Sequence, residues 1–130
     1  MAFDLGKVKD MLAPDEVNRY WDAYFAVVDT LIISQGKLKE LEDKATELGE
    51  RSGYRADRLR VEADIELMRA KRVAFNASRS PINPPDQATV TQLVGLSEEV
   101  AKAAAKRGQA AAIVQIAARA VEGFKKIQKS

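Results

Sequence analysis

Paired carboxylates are the candidates for chemistry in this 130-residue chain. Glu62, Glu66 and Arg69 follow one another at helical spacing, and Asp22 and Asp29 are one heptad apart. Two carboxylates can perform acid–base catalysis when burial moves their pKa values apart. Because these residues interleave with arginines on polar helix faces, the pattern predicts a solvated network of ion pairs rather than a catalytic site.

The chain contains no histidine and no cysteine. These absences remove the commonest general base, the thiol nucleophile and the usual zinc ligands. A carboxylate-bridged di-metal bundle normally uses Glu-x-x-His pairs, and neither glycine-rich phosphate-binding motif occurs. The sequence therefore predicts a protein that is not an enzyme and has no metal site and no cofactor.

A stripe of six arginines could contact anions. Arginine grips planar carboxylates and phosphates, so the stripe could follow a nucleic-acid backbone. Acidic residues interrupt the stripe, and a second group of acidic residues precedes it within residues 40–50. These acids favour internal salt bridges. Nucleic-acid binding and internal pairing both stay open as interpretations. The stripe consists of Arg51, Arg55, Arg58, Arg69, Arg72 and Arg79.

The net charge of +2 hides an uneven distribution. Residues 1–50 carry 6 basic and 11 acidic side chains, whereas residues 51–80 carry 8 and 4. An acidic helix that folds back on a basic one would form complementary pairs. The N-terminus lacks the pattern of a signal peptide, and no apolar run approaches the roughly 20 residues of a membrane span, so we expect a cytoplasmic protein.

Helix signals divide the chain into three long segments. Pro14 followed by two acids is a helix start, and the three prolines within 81–85 must interrupt any helix. Gly49 and Gly53 predict a hairpin turn, with a kink in one continuous helix as the alternative. The predicted fold is a single all-α domain, 1–130, whose proline-rich loop 80–86 separates a two-helix hairpin from the third helix. It is an elongated bundle or coiled coil with helices at about 14–48, 54–78 and 87–127 and a short N-terminal helical segment.

Heptad spacing predicts the buried seam of the first two helices. The first seam has one polar member, Ser34, and otherwise comprises Val17, Tyr20, Tyr24, Val27, Leu31, Leu38, Leu41, Ala45 and Leu48. The second is mostly alanine and comprises Ala56, Leu59, Ala63, Leu67, Ala70, Ala74 and Ala77.

Four of the eight aromatic residues lie within one short segment, as Tyr20, Trp21, Tyr24 and Phe25. Such a cluster usually fills the widest part of a bundle core. The alternative is a hot spot for a partner, because exposed tryptophan and tyrosine dominate binding energy.

The third predicted helix is apolar on too many sides for one neighbour. Its alanine-rich part covers close to half the helix circumference, while its isoleucines point elsewhere. Three long helices with so much alanine bury little apolar area, so we expect this helix to pack against copies of the chain. Alternatively, alanine is present only as the best helix former. The predicted self-association residues are Ala104, Gly108, Ala111, Ala112, Ile113 and Ile116.

These features predict a structural or interaction protein that forms a homo-oligomer or an extended assembly of the shell, filament or scaffold type. One alternative is a small regulatory or inhibitory module that docks on a larger protein. The other is a nucleic-acid binder that uses the arginine stripe.

Overall fold

A computed structural model describes residues 14–76, 83–106 and 110–127, which form four α-helices and no strand. The helices are α1 (Pro14–Lys44), α2 (Leu48–Asn76), α3 (Gln87–Ala104) and α4 (Ala110–Lys125). The predicted all-helical class is therefore confirmed, and the helices pack as a bundle. The predicted N-terminal helical segment lies outside the described residues.

α1 is the central helix of the bundle. It packs against each of the other three helices, whereas α2 meets α4 only along a narrow strip. Tyr20 stacks on Phe75 and Glu42 pairs with Arg58, so α2 runs antiparallel to α1. Most of the circumference of α1 is consequently used for packing.

α3 and α4 form a second antiparallel hairpin beside α1. The Arg19 Nε atom donates a hydrogen bond of 2.8 Å to the carbonyl of Pro85, which places the start of α3 beside the start of α1. α4 then returns along α3, because Arg119 pairs with Glu99 and the amide of Asn83 donates to the carbonyl of Ile127. The four helices alternate in direction along the chain.

The seam predicted for the first helix is buried along most of α1. Its larger members Tyr20, Tyr24 and Leu31 are in the core, and Ser34 is buried with them. The Ser34 hydroxyl donates to the carbonyl of Thr30 at 2.7 Å, so its burial leaves no unsatisfied donor. Leu48 is the exception, because it begins α2 and is exposed.

The turn between the first two helices lies earlier than predicted. It occupies residues 45–47, and both Gly49 and Gly53 are inside α2, so no hairpin turn forms at 49–53 and the two helices are not one continuous kinked helix. Arg51 fixes this position, since its amide bonds to the carbonyl of Glu47 and its Nη2 atom donates to the carbonyl of Ala45 at 2.8 Å. These contacts stabilise the turn, which contains no glycine.

The predicted seam of α2 is wrong. Its described members from Ala56 to Ala70 are exposed, Ala74 is half-buried, and Ala77 lies outside the described residues. The helix instead turns a different stripe toward the core. Larger side chains release more free energy on burial than alanine, which explains why this stripe is chosen. It consists of Val61, Ile65, Met68 and Phe75.

The predicted single helix 87–127 is also wrong, because α3 ends at Ala104 and α4 begins at Ala110. Val100 and Ile113 are both fully buried. In one continuous helix they would point about 140° apart, since thirteen steps of about 100° separate them. Folding the segment back on itself brings both the apolar stripe that contains Val100 and the one that contains Ile113 to the core. This accounts for the apolar residues on several sides of the single helix that was predicted.

Aromatic rings join three helices at the centre of the core. The rings of Tyr20 and Phe75 stack with their centroids 3.9 Å apart, and Phe124 of α4 lies 5.7 Å from Tyr20. Trp21 meets Phe75 edge-on at 5.4 Å. Aromatic contacts of this kind add to the free energy of area burial, so this cluster ties α2 and α4 to α1.

Replacing two glycines of the second hairpin by alanine should have different effects on the free energy of unfolding. A Cβ on Gly123 would lie 2.9 Å from Cδ2 of buried Leu93, whereas a Cβ on Gly95 would meet nothing within 4 Å. Gly95→Ala should raise the free energy of unfolding by about 1 kcal/mol through helix propensity. Gly123→Ala should lose that gain or reverse it, because Leu93 must move within a packed core. Denaturant unfolding of both variants tests this, and equal stabilisation would contradict the close packing of α3 on α4.

The hydroxyl of Tyr20 is buried without a hydrogen-bond partner among the described residues. An unsatisfied buried hydroxyl costs about 1–3 kcal/mol, so Tyr20→Phe should stabilise the fold by about 1 kcal/mol. Burial and the neighbouring Tyr24 raise the pKa of Tyr20 above its ordinary value of 10. The unfolded tyrosine therefore ionises first, and stability should fall above pH 10 more steeply in the unmodified protein than in the variant. Destabilisation by Tyr20→Phe at neutral pH would contradict this account.

Candidate functional site

The four predicted aromatic residues separate into two environments. Tyr20 and Tyr24 are buried in the core and Trp21 is half-buried, as expected for a core cluster. Phe25 instead faces outward with 53% of its surface exposed. One member of the cluster is thus available to a partner.

Phe25 belongs to an apolar ridge on the uncovered side of α1, which we call the α1 ridge and define as Phe25, Val28 and Ile32. Ile32 is 51% exposed, and Val28 is half-buried between the two. This ridge was not predicted from the sequence. Its signal is a second heptad pattern beside the buried seam, in which Trp21 precedes the ridge by four residues.

A groove runs along the α2 side of the α1 ridge, with a volume of about 600 Å³. Tyr24, Gln35 and Ile65 line it beside the ridge residues, and its far side carries two arginines and two glutamates. We call it the α1/α2 groove. Its charged residues are Glu62, Glu66, Arg69 and Arg72.

A smaller groove of about 380 Å³ runs along the α3 side of the same ridge. Asp22 and Asp29 lie on its α1 wall, and Val90, Val94 and Ser97 on its α3 wall. We call it the α1/α3 groove. The sequence-predicted carboxylates are therefore split, with Asp22 and Asp29 in one groove and Glu62 and Glu66 in the other.

Three charges around the α1 ridge have no salt bridge within the described residues: Asp22, Asp29 and Arg72. Arg69, by contrast, pairs with Glu66 on its own helix. Unpaired charges of opposite sign thus lie on opposite sides of an exposed apolar ridge.

Internal partners account for most of the arginine stripe. Arg55 and Arg58 both bind Glu42 across the hairpin, while Arg51 binds a backbone carbonyl. Arg72 lines the α1/α2 groove, and Arg79 lies outside the described residues. The stripe therefore offers less unpaired positive charge than its sequence indicates.

Glu42 is the centre of this network, with only 3% of its surface exposed. Its carboxylate accepts hydrogen bonds from Arg58 Nε at 2.7 Å and Arg55 Nε at 2.9 Å. Arg58 also reaches Glu62 at 2.9 Å, and Gln35 donates to the same carboxylate at 2.9 Å. The hydrogen bonds from Arg58 and then Arg55 lower the pKa of Glu42 to about 2. The sequence analysis expected such pairing between the acidic first helix and the basic second one.

The outer side of α2 carries a second exposed apolar surface, which we call the α2 stripe. It comprises most of the residues that were predicted to be the seam of this helix, and none of them is charged. A solvent-facing helix side is normally polar, whereas α2 has two apolar sides and the described helices cover one of them. The stripe consists of Ala56, Leu59, Ala63, Leu67 and Ala70.

The predicted self-association residues divide between core and surface. Ile113 and Ile116 are buried in the core of one chain, so their inclusion in an outer contact surface was wrong. They were misplaced because the break between α3 and α4 was not predicted. Ala111 is exposed, Ala104 and Ala112 are half-buried, and Gly108 lies outside the described residues.

The described residues contain no group of three or more acidic side chains placed to hold a metal ion. Across the same three ranges, no helix has the length and apolarity needed to cross a membrane. No protein-family model matches the chain, and neither a curated protein nor a solved structure is significantly similar to it. The candidate site is an apolar ridge between two grooves that are partly lined by charged side chains.

The Glu42 network should make the hairpin sensitive to acid. Because its folded pKa is about 2 and its ordinary value is 4.5, Glu42 contributes stability that is complete above pH 4.5. That contribution is lost as the pH falls toward 2. Glu42→Gln should destabilise the protein at pH 7 and reduce its loss of stability between pH 5 and pH 2.5. Denaturant unfolding at several pH values tests this, with Glu98→Gln as the control, since Glu98 is exposed and has no ion pair among the described residues. An unchanged pH dependence in Glu42→Gln would contradict the assignment.

Proposed function

We propose that this protein is a non-enzymatic structural or interaction protein that self-associates into a homo-oligomer or an extended assembly. The exposure of the α1 ridge is the observation that carries the proposal. Phe25 and Ile32 each expose about half of their surface. They do so although charged residues, which normally occupy exposed positions, make up 31% of the chain. Adjacent large apolar side chains with a rim of charges are typical of protein–protein contact sites.

The contact surface differs from the one proposed on sequence grounds. The isoleucines of α4 are buried in the core of the single chain, which leaves α4 with an outer surface of alanine and polar side chains. The α1 ridge and the α2 stripe instead carry four of the seven large apolar side chains that are exposed among the described residues. The free energy of association increases with the apolar area removed from water, so these two surfaces are the better candidates.

Two separate surfaces favour an extended assembly over a closed dimer. A two-fold contact uses the same patch on both copies and closes once it is occupied. If the α1 ridge forms one such contact, the α2 stripe remains free to form another. Repetition of both contacts would generate a chain of dimers of the filament or scaffold type.

Two alternatives predict different behaviour. A regulatory or inhibitory module that docks on a larger protein would use the same α1 ridge but remain monomeric by itself. A nucleic-acid binder would show a salt-dependent mobility shift with DNA or RNA. The internal partners of Arg51, Arg55 and Arg58 disfavour the second alternative.

Substitution of the two surfaces tests self-association. Phe25→Glu combined with Ile32→Lys should reduce the oligomer mass in size exclusion with light scattering, while helicity is retained because both residues are exposed. Leu59→Lys combined with Leu67→Glu should convert an extended assembly into a dimer.

Ala111→Glu is the matched control on α4, and it should leave the mass unchanged because it adds charge away from both surfaces. If Ala111→Glu alone disperses the oligomer, the contact surface lies on α4, as the sequence predicted. Ile113→Asp should instead unfold the chain, since it places a charge in the core.

A further inference from the structure

We infer that the α1 ridge binds the α1 ridge of a second copy of this chain, with the two α1 helices parallel and the two-fold axis running along them. Phe25 and Ile32 then meet their own counterparts at the axis. Asp22 and Asp29 of each copy face Arg69 and Arg72 of the other. This inference rests on the proposed self-association and specifies its geometry.

The lateral order of charges selects this arrangement. Across the ridge, the aspartates lie on the α3 side and the arginines on the α2 side. A two-fold axis along the helices exchanges left for right, so the acidic side of one copy meets the basic side of the other. An axis perpendicular to the helices would place acid against acid and base against base, which is unfavourable.

The heights of the charges along α1 also match. The hydrogen bond between Gln35 and Glu62 fixes the antiparallel register of α2, which places Arg69 level with Val28 and Arg72 level with Phe25. A two-fold axis along α1 preserves height. Arg69 therefore comes within about 2 Å in height of the opposing Asp29, and Arg72 within about 5 Å of the opposing Asp22, at about 1.5 Å per residue.

The other acids of the α1/α2 groove are occupied within the chain. Glu66 holds Arg69, while Glu62 accepts hydrogen bonds from Arg58 and Gln35. Asp22, Asp29 and Arg72 have no salt bridge among the described residues, so a pair formed by Arg72 between copies breaks none, whereas Arg69 would share its guanidinium between Glu66 and the opposing aspartate. The apolar ridge supplies the attraction and the charges select the orientation.

Charge exchange between two variants tests this geometry. The first variant carries Asp22→Lys with Asp29→Lys, and the second carries Arg69→Glu with Arg72→Glu. Each alone should dimerise at least roughly tenfold more weakly than the unmodified protein, because like charges then face each other. An equimolar mixture should recover the affinity of the unmodified protein, since both contacts in the mixed dimer again join opposite charges.

The milder pair Asp22→Lys and Arg72→Glu repeats the test with one substitution each, and circular dichroism verifies that every variant is folded. Glu99→Lys with Glu122→Lys is the control for total charge, and it should leave the dissociation constant unchanged because both residues line the groove between α3 and α4, away from the α1 ridge. Raising the salt from about 0.05 M to about 0.5 M should weaken the unmodified dimer.

The outcomes separate this inference from the proposed function. If the unmodified chain associates but the charge variants do so equally well, the parallel arrangement is wrong while self-association stands. If the mixture binds much more tightly than the unmodified protein, like charges face each other in the native contact and the two-fold axis lies across the helices. If the unmodified chain is monomeric at every concentration, both proposals fail.

Discussion

The central position of α1 is the constraint on which the rest of the structure depends. This helix buries side chains against three neighbours, and the aromatic contacts of Tyr20 join α2 and α4 to it. Because three neighbours surround α1, the described helices leave one side of it uncovered, and that side carries the α1 ridge. Among the described residues, no fourth neighbouring helix packs against the apolar side chains of this ridge.

The same constraint explains the second hairpin. A continuous helix from 87 to 127 could present only one of its two apolar stripes to α1, because Val100 and Ile113 would point in different directions. The break between Ala104 and Ala110 places both stripes against the core. Leu93 and Gly123 then come close enough that an added methyl group would meet the leucine. The close packing of α3 on α4 thus follows from burying both stripes.

Much of the fold could be predicted from periodicity. The start of α1 at Pro14, its buried seam and the all-helical class followed from heptad spacing and capping signals. Two features could not be predicted this way. α2 carries two apolar stripes, and spacing alone does not reveal that Val61 and Phe75 outweigh Ala63 and Ala70 in the core. The α3–α4 break contains no proline, so its signals are one glycine, Gly108, and the angular conflict between the two stripes.

The candidate site was predicted in part, since Phe25 and the charged residues were identified but not their arrangement around the α1 ridge. Sedimentation equilibrium of the unmodified protein over a wide concentration range tests the central claim most directly. The account predicts a mass near the monomer value of 14.3 kDa at high dilution that rises to twice this value or more with concentration. A constant monomer mass at every concentration, with the chain fully folded, would contradict it.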